Sequence, residues 1–324
     1  MNRKEYTEDL LGRIISFVEA NRGKELLSSI ILTGSFGRGE PTWSEDGEGN
    51  AVLKSDVEIA LVRKPTVKND VVLELCHKLW ANFNEDLSLM IFSERRISNA
   101  HNLNHSLWES HYKTIFTFDI FNGSKTIWGK DFLGLKSVTV GDIDLYEAKR
   151  IVGNRIGELM FLTEDDGKKD DYTRMQWKGK IMLAICSAWL VLNKKYVSGY
   201  HGQYKMITED VMAAEELGVD FIEDYKQTFD FLRESKAPYE VEDHSIREYV
   251  KRIDALFLKY GIKQPRVNNV SRIIKNTLRY VKTGCKFGLL HFENNIISSL
   301  ISQFEQGEVE KLRYTAHIWH NSIY

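Results

Sequence analysis

Two acidic residues separated by a single position have a spacing that can bring two carboxylates together. Asp56 and Glu58 lead into the apolar run Val57-Glu58-Ile59-Ala60-Leu61-Val62. Side chains alternate between the two faces of a strand, so a strand here directs both carboxylates to the same face. Their charges repel, and a divalent metal such as Mg²⁺ removes that repulsion while bridging carboxylates to substrate phosphates. The pair therefore predicts a metal site for phosphoryl chemistry.

A glycine-serine turn precedes the acidic pair in the chain. Gly34 and Ser35 follow the apolar run 26–33, which predicts a strand that ends at the turn. The backbone N–H groups of such a turn, together with a hydroxyl, can surround phosphate oxygens. Arg38 follows closely and is a candidate phosphate ligand, although a lone arginine is more often a surface residue or the partner of an acid.

The apolar strand, Gly34-Ser35, a spacer and Asp56-Val57-Glu58 together resemble the signature of the nucleotidyltransferase superfamily. That superfamily includes DNA polymerase beta, the aminoglycoside nucleotidyltransferases and the minimal nucleotidyltransferases. The resemblance implies that Gly34 and Ser35 contact the nucleotide phosphates and that Asp56 and Glu58 ligate metal. The chain departs from the pattern in two ways: residues 42–54 lengthen the spacer, and the second acid is Glu rather than the commoner Asp.

Members of this superfamily often take a third carboxylate from a neighbouring strand to activate the attacking hydroxyl. The candidate is Asp86, which comes just before the apolar run 87–92 and is predicted as a catalytic residue and metal ligand. The alternative is a strand-start cap or a surface acid. Ser88 shares the face of Asp86 and could occupy the place of the acid, which would leave the third acid missing. Asp119 is the second candidate.

Basic residues in the C-terminal part form the rest of the predicted nucleotide site. Lys178 and Lys180 lie near the start of a predicted apolar helix over residues 176–192, from which a lysine can reach a triphosphate. Relatives place basic residues in this region, and the alternative is a solvated helix start. Tyr200 and Tyr204 follow a glycine-punctuated turn and either line a base or acceptor pocket or pack in the core.

The pattern of apolar residues predicts an α+β fold in which a small mixed sheet is followed by a C-terminal helical bundle. We assign residues 1–140 to a nucleotidyltransferase catalytic domain and residues 141–324 to a helical domain. Residues 42–50 are predicted as a solvated loop or an insertion hairpin. Strands are predicted over 26–33, 57–62, 87–92, 115–121 and 125–128, and helices over 5–22, 69–82, 146–162, 176–192, 208–216, 219–234, 244–260, 268–282, 285–304 and 307–320.

Composition and charge narrow the classes of protein and partner. The 324-residue chain has a formal net charge of -2, which argues against a surface built wholly for nucleic acid but allows a local basic cleft. We expect no membrane partner because no apolar run is long enough to span a bilayer and the N-terminus has no signal-peptide pattern. The cysteines are widely spaced, which favours free thiols and a cytoplasmic protein.

These observations predict Mg²⁺-dependent transfer of a nucleoside monophosphate from an NTP, most simply ATP, to an acceptor hydroxyl or phosphate, with release of pyrophosphate. The near-neutral chain and its acidic loop favour a small or basic acceptor, such as an aminoglycoside, over a nucleic acid. Two alternatives stay open: a catalytically weak nucleotide-binding or regulatory protein of the same fold, and an RNA-modifying transferase.

Overall fold

The computed structural model describes residues 2–99, 114–134, 138–163, 171–233, 236–263, 292–312 and 315–316. Contacts within the chain divide it into two compact units. Unit 1 comprises Met1–Ile143 and the short segment Ser198–Tyr200, and unit 2 comprises Asp144–Val197 and His201–Tyr324. All strands of the described ranges belong to unit 1, whereas the described part of unit 2 is helical. The predicted combination of a small mixed sheet with a helical C-terminal region is confirmed.

Unit 1 contains a four-stranded sheet and a separate two-stranded hairpin. The strands are β1 (Leu27–Leu32), β2 (Trp43–Glu45), β3 (Ala51–Leu53), β4 (Val57–Arg63), β5 (Leu87–Ser93) and β6 (Lys125–Gly129). The helices are α1 (Arg3–Ala20), α2 (Gly23–Leu26), α3 (Gly34–Arg38), α4 (Asn69–Asn82), α5 (Glu94–Asn99) and α6 (Ile115–Asn122). The larger sheet has the order β5-β4-β1-β6, and it is mixed because β4 is parallel to β5 but β1 is antiparallel to β4 and β6.

Strict alternation along the central strands places apolar side chains on both faces of the sheet. Val57, Ile59 and Leu61 pack with α1 and α4, whereas Ala60 and Val62 pack on the opposite face with residues of α5 and α6. The apolar stripe of α1 follows helical spacing, and a capping box at its first turn satisfies the N-terminal amides. A sheet that is covered on both faces holds β4 firmly in place.

The prediction of a strand over residues 115–121 is wrong, because these residues form α6. A short apolar run does not distinguish a buried strand from a buried helix by its periodicity. Here Thr114 caps the helix by accepting a hydrogen bond from the backbone N–H of Thr117, and Phe118 and Ile120 are buried. The connection between α3 and β4 contains the antiparallel hairpin β2–β3, so the hairpin alternative for residues 42–50 is the correct one.

The described part of unit 2 is built from helices, the third of which begins with a residue of unit 1. They are α7 (Tyr146–Thr163), α8 (Asp171–Leu192), α9 (Tyr200–Glu209), α10 (Val211–Leu217), α11 (Val219–Arg233), α12 (Asp243–Lys259) and α13 (Phe292–Glu305). Helix α8 begins five residues before the predicted position 176, and α9 begins at Tyr200, directly after the bend at Ser198 and Gly199. The predicted helix over 268–282 lies outside the described residues. In the part of the chain that the structure describes, no helix is both long and apolar enough to cross a membrane.

The core of unit 2 combines apolar helix faces with a few buried polar groups. Helix α8 is buried along residues 181–192, and Trp189 is among the largest side chains that are fully buried. Asp224 of α11 accepts hydrogen bonds from the hydroxyls of Tyr239 and Tyr249 at 2.6 and 2.7 Å. Burial is the main cause that raises the pKa of Tyr239 to about 12, and the Asp224 bond adds to it. These phenols therefore remain protonated donors at neutral pH.

The thiols that the structure describes are buried. Cys76 on α4 and Cys186 on α8 are both free cysteines within the apolar core. Burial raises the pKa of the Cys76 thiol to about 11, so its reactive thiolate is scarce at neutral pH. These two residues therefore have the free, buried thiols that the sequence predicts, and Cys285 lies outside the described residues.

A half-buried carboxyl group ends helix α13 in unit 2. The Oε1 atom of Glu305 is buried and has no hydrogen-bond partner among the described residues. Burial is the largest cause that raises the pKa of Glu305 to about 7, and the charges of Asp254 and Glu248 on α12 add to it. Lys251 on α12 and Lys149 on α7 act in the opposite direction. The carboxyl is therefore more easily protonated in the folded chain than in the unfolded one.

The substitution Glu305→Gln tests this environment. Because the folded pKa exceeds the unfolded value of 4.5, the free energy of unfolding should fall as pH rises from about 4.5 to about 7. After discounting for partial exposure, we expect the variant to be about 1 kcal/mol more stable than the wild type at pH 8, and equal to it near pH 4.5. Urea unfolding at both pH values measures this. Glu308→Gln, at a carboxylate paired with Lys311, is the control. An identical stability gap at both pH values for Glu305→Gln would contradict the assignment.

Candidate functional site

The glycine-serine turn and the acidic pair, predicted separately from the sequence, meet at one end of the sheet. The backbone N–H of Thr33, just after β1, donates to the carbonyl oxygen of Glu58 at 2.9 Å. Gly34 follows with a φ of +61°, in the left-handed region that favours glycine. A Cβ atom on Gly34 would lie 2.4 Å from Cδ and 2.5 Å from Oε2 of Glu58. The Glu58 carboxylate therefore lies directly against the turn, and a side chain at position 34 would collide with it.

The two acids of the pair flank Val57 where β4 begins. Val57, between the two acids, is fully buried on the face of the sheet that α1 and α4 cover. Alternation along β4 therefore turns Glu58 toward the opposite face. Asp56 comes one residue before the strand, and both side chains are partly exposed. On that face Ala60 and Val62 follow them and pack in the core. The acids thus occupy the polar end of an otherwise apolar strand face.

The two candidates for a third acid, Asp86 and Asp119, lie on different elements: Asp86 just before β5 and Asp119 on α6. β4 and β5 pair in register, with Glu58 opposite Ser88, and the backbone N–H of Val57 donates to the carbonyl oxygen of Asp86 at 2.8 Å. Asp86 is exposed and comes one residue before β5 begins. Asp119 lies on α6, whose neighbouring Ile120 packs with Ala60 and Val62. The register partner of Glu58 is therefore a serine, as the sequence alternative allowed.

The acidic pair has the donor chemistry that Mg²⁺ uses at phosphoryl-transfer sites. Across the described ranges, no group of three or more His, Cys, Asp or Glu side chains is placed to hold a metal ion. Mg²⁺ commonly binds through only one or two carboxylates, keeps several waters, and takes its remaining ligands from substrate phosphates. Asp56 and Glu58 match that donor set, and Glu58 lies against the buried Gly34–Ser35 turn. The residues present therefore fit Mg²⁺ bound together with a nucleotide.

Arg38 lies at the end of α3, in the helical turn that starts at Gly34. Gly39, with a φ of +76°, ends this helix, and the backbone N–H of Glu40 donates to the carbonyl oxygen of Ser35 at 2.8 Å. The Nε atom of Arg38 is 3.6 Å from Oε2 of Glu40, and the two side chains are only 12% and 14% exposed. Arg38 is thus an acid-paired residue, and the same helix connects it rigidly to the glycine-serine turn.

The two predicted lysines belong to unit 2, and neither is at a solvated helix start. Lys178 is in the third turn of α8, and its side chain is 4% exposed. Its ammonium lies 2.5 Å from Oε1 of Glu240 and 2.7 Å from Oδ1 of Asp243, and it donates to the carbonyl oxygen of Val241. The Nζ atom of Lys180 lies 3.7 Å from the centroid of the Trp177 ring. Binding of a triphosphate by these lysines stays a prediction, and the contacts of Lys178 also fit a structural ion pair.

The sequence did not predict that Glu40 and Tyr200 contact each other and Arg38 in unit 1. The backbone N–H of Tyr200 donates to Oε2 of Glu40 at 2.8 Å, across a separation of 160 residues. The guanidinium carbon of Arg38 lies 5.2 Å from the centroid of the Tyr200 ring. Only Gly199, which precedes the tyrosine, gave a local signal of an unusual backbone. A pairing over such a separation has no local sequence pattern.

Comparison with known proteins yields one solved structure of limited similarity. The crystal structure of spectinomycin adenyltransferase AAD(9) from Enterococcus faecialis with ATP and spectinomycin aligns with a TM-score of 0.44 and 13% sequence identity. The alignment covers 75% of this chain and 98% of that chain. No protein-family model matches the chain, and no curated protein sequence matches it. Similarity at this level carries no argument about activity, so the function must be argued from the residues of the chain itself.

The close contact at the turn predicts that two glycine substitutions differ in their effect on stability. Gly34→Ala and Gly39→Ala both place a side chain at a positive φ, which costs about 1 kcal/mol each. A Cβ on Gly39 has no atom within 4 Å, whereas one on Gly34 collides with the Glu58 carboxylate. Because the flexible end of the Glu58 side chain can move aside, we expect Gly34→Ala to lower the free energy of unfolding by about 2 kcal/mol and Gly39→Ala by about 1 kcal/mol.

Chemical unfolding followed by tryptophan fluorescence measures both glycine variants under the same conditions. The Gly39→Ala variant is the matched control because it has the same backbone penalty within the same short helix. Equal losses in the two variants would show that the Glu58 carboxylate does not lie against Gly34.

Proposed function

We propose that the protein is a Mg²⁺-dependent nucleotidyltransferase that moves a nucleoside monophosphate from an NTP, most simply ATP, to an acceptor hydroxyl or phosphate. The observation that carries this proposal is the contact between Gly34 and the Glu58 carboxylate. It joins a potential phosphate-binding turn to a pair of same-face acids with the donor chemistry of a magnesium site. In this proposal residues 1–140 form the catalytic domain and residues 141–324 the helical domain.

The proposed reaction assigns a separate task to each part of the site. Gly34 and Ser35 hold the β- and γ-phosphates, with Arg38 beside them, and Asp56 and Glu58 hold Mg²⁺. When bound, Mg²⁺ offsets the negative charge that develops on the leaving group. The acceptor oxygen attacks the α-phosphorus, a new P–O bond forms, and the bond to the bridging α–β oxygen breaks to release pyrophosphate.

The attacking hydroxyl must lose a proton, and the proposal gives this task to a third carboxylate. Asp86 is the first candidate because its backbone is hydrogen-bonded to Val57, between the two metal-binding acids. Asp119 on α6 is the second candidate, since α6 packs on the sheet face to which Asp56 and Glu58 point. A general base of this kind typically contributes a factor of about 10² to 10⁴ in rate.

The hairpin β2–β3 favours a small, cationic acceptor over a nucleic acid. The base of the hairpin adjoins the acidic pair, because the backbone N–H of Thr42 donates to the Ser55 hydroxyl at 2.6 Å. Glu45, Asp46 and Glu48 are exposed along its outer part. Backbone hydrogen bonding from Asn50 lowers the pKa of Asp46, so this carboxyl stays ionised. Such a negative surface attracts a basic small molecule and repels a polyanion.

One observation favours the second candidate function, a catalytically weak nucleotide-binding or regulatory protein. The residue opposite Glu58 in the adjacent strand is Ser88, where an acid would be the natural proton acceptor. Without a third carboxylate the site could still bind an NTP with Mg²⁺ but would transfer the nucleotide slowly. The two functions differ in turnover, not in nucleotide binding.

Pyrophosphate release tests the proposed reaction. The protein is incubated with Mg²⁺ and each of the four NTPs, alone, with a panel of aminoglycosides, and with bulk tRNA. We expect release that depends on a small acceptor, and we expect Asp56→Asn and Glu58→Gln each to lower it by about 10² or more. Glu74→Gln, which removes one charge from the exposed face of α4, should keep wild-type activity.

The outcomes separate the candidate functions. Release that requires tRNA would favour an RNA-modifying transferase, and NTP binding without release would favour the regulatory protein. Wild-type turnover in both Asp56→Asn and Glu58→Gln would contradict the assignment of the acidic pair.

A further inference from the structure

Arg38 lies within a compact group of side chains and backbone in unit 1, which we call the Arg38 cluster. It consists of Arg38, Glu40, Gly123 and the segment Ser198–Tyr200. The cluster is formed from three parts of the chain that are far apart in sequence: the end of α3, the residue after α6, and the start of α9. None of its contacts is predicted from local sequence patterns.

Glu40 is the residue through which the cluster is connected. One of its carboxylate oxygens, Oε2, lies 3.6 Å from Nε of Arg38 and accepts the backbone N–H of Tyr200 at 2.8 Å. The ring of Tyr200 in turn faces the guanidinium group, at 5.2 Å between its centroid and Cζ. Glu40 therefore contacts both the guanidinium of Arg38, through an ion pair, and the backbone that carries the aromatic ring beside it.

Two glycines allow this close packing. A Cβ on Gly123 would lie 2.0 Å from Oγ of Ser198 and 2.9 Å from Cγ of Arg38. Gly199 has a φ of +128°, and a Cβ there would lie 3.2 Å from Oε1 of Glu40. The chain thus has residues without side chains where the stem of Arg38 and the carboxylate of Glu40 meet the backbone.

The position of Glu40 relative to the turn is set by the backbone as well. Its N–H donates to the carbonyl oxygen of Ser35 at 2.8 Å and closes the short helix that begins at Gly34. The carboxylate that holds Arg38 therefore belongs to the same local structure as the proposed phosphate-binding turn. An arginine side chain has many rotamers, and a fixed carboxylate partner and a ring face select one orientation before any ligand binds.

We propose that Glu40 is a positioning residue for nucleotide binding: it holds the guanidinium of Arg38 over Tyr200 and beside the Gly34–Ser35 turn, and so sets the affinity for the triphosphate. This inference rests on the proposed nucleotidyltransferase function. Glu40 does not contact the nucleotide in this account. Because the phosphate contact of Arg38 exists both before and during the reaction, loss of its orientation should weaken substrate binding more than the chemical step.

Steady-state kinetics of pyrophosphate release test the role of Glu40. Glu40→Gln keeps the size of the side chain and an acceptor oxygen for the Tyr200 N–H, but it removes the charge that pairs with Arg38. We expect the KM for the NTP to rise about tenfold, the loss of one charge-assisted interaction, while kcat changes by less than about threefold. Glu74→Gln is the matched control, because it removes one carboxylate charge from the exposed face of α4 and should leave KM unchanged.

A double-mutant cycle shows whether Glu40 acts through Arg38. If it does, adding Glu40→Gln to Arg38→Gln should change KM by less than about twofold, because the positioned group is already gone. Glu40→Asp, which keeps the charge on a shorter side chain, should restore part of the affinity and remains available if Glu40→Gln does not fold. Thermal unfolding of each variant separates a change in binding from a loss of structure.

The outcomes distinguish this inference from the proposed function. If the wild type turns over and Glu40→Gln has an unchanged KM, the positioning role alone is overturned, whether or not the variant is less stable. Additive effects of Glu40→Gln and Arg38→Gln on KM would also overturn it. Absence of both NTP turnover and NTP binding in the wild type would overturn the proposed function, and the positioning role with it.

Discussion

The contact between Gly34 and the Glu58 carboxylate is the constraint on which the site depends. The antiparallel pairing of β1 with β4 continues one step past β1, so that Thr33 is hydrogen-bonded to Glu58 and the chain must turn immediately afterwards. The turn needs a positive φ and has no room for a side chain beside the carboxylate. Glycine meets both requirements. The phosphate-binding turn and the acidic pair are consequently parts of a single local structure.

The rest of unit 1 keeps that local structure in place. Val57 anchors the start of β4 in one core, while Ala60 and Val62 anchor the opposite face in another. Between these anchors the backbone of β4 fixes the point at which the Glu58 side chain leaves the sheet, and Asp56 comes one residue before the strand. On the other side of the turn, the helix that starts at Gly34 ends in Arg38, which Glu40 and Tyr200 hold. Acidic and basic groups thus flank the turn at fixed positions.

The sequence predicts the features that depend on neighbours along the chain. The strands on either side of Gly34, the common face of Asp56 and Glu58, and the hairpin in the spacer follow from alternation and turn residues. Features set by distant residues were missed. The run 115–121 is a helix because of its cap and its packing. Lys178 pairs with acids 62 and 65 residues further on. Glu40 accepts a hydrogen bond from a tyrosine 160 residues away. The sequence did not identify a third acid, because the pairing of β4 with β5 decides which residue lies opposite Glu58, and that residue is Ser88.

Calorimetric titration with a non-hydrolysable NTP analogue, in the presence and absence of Mg²⁺, tests most directly whether the turn and the acidic pair form one nucleotide and metal site. The account predicts that Mg²⁺ tightens binding to the wild type by about tenfold or more, and that Glu58→Gln abolishes this dependence. Equal affinity of the wild type with and without Mg²⁺ would contradict the account.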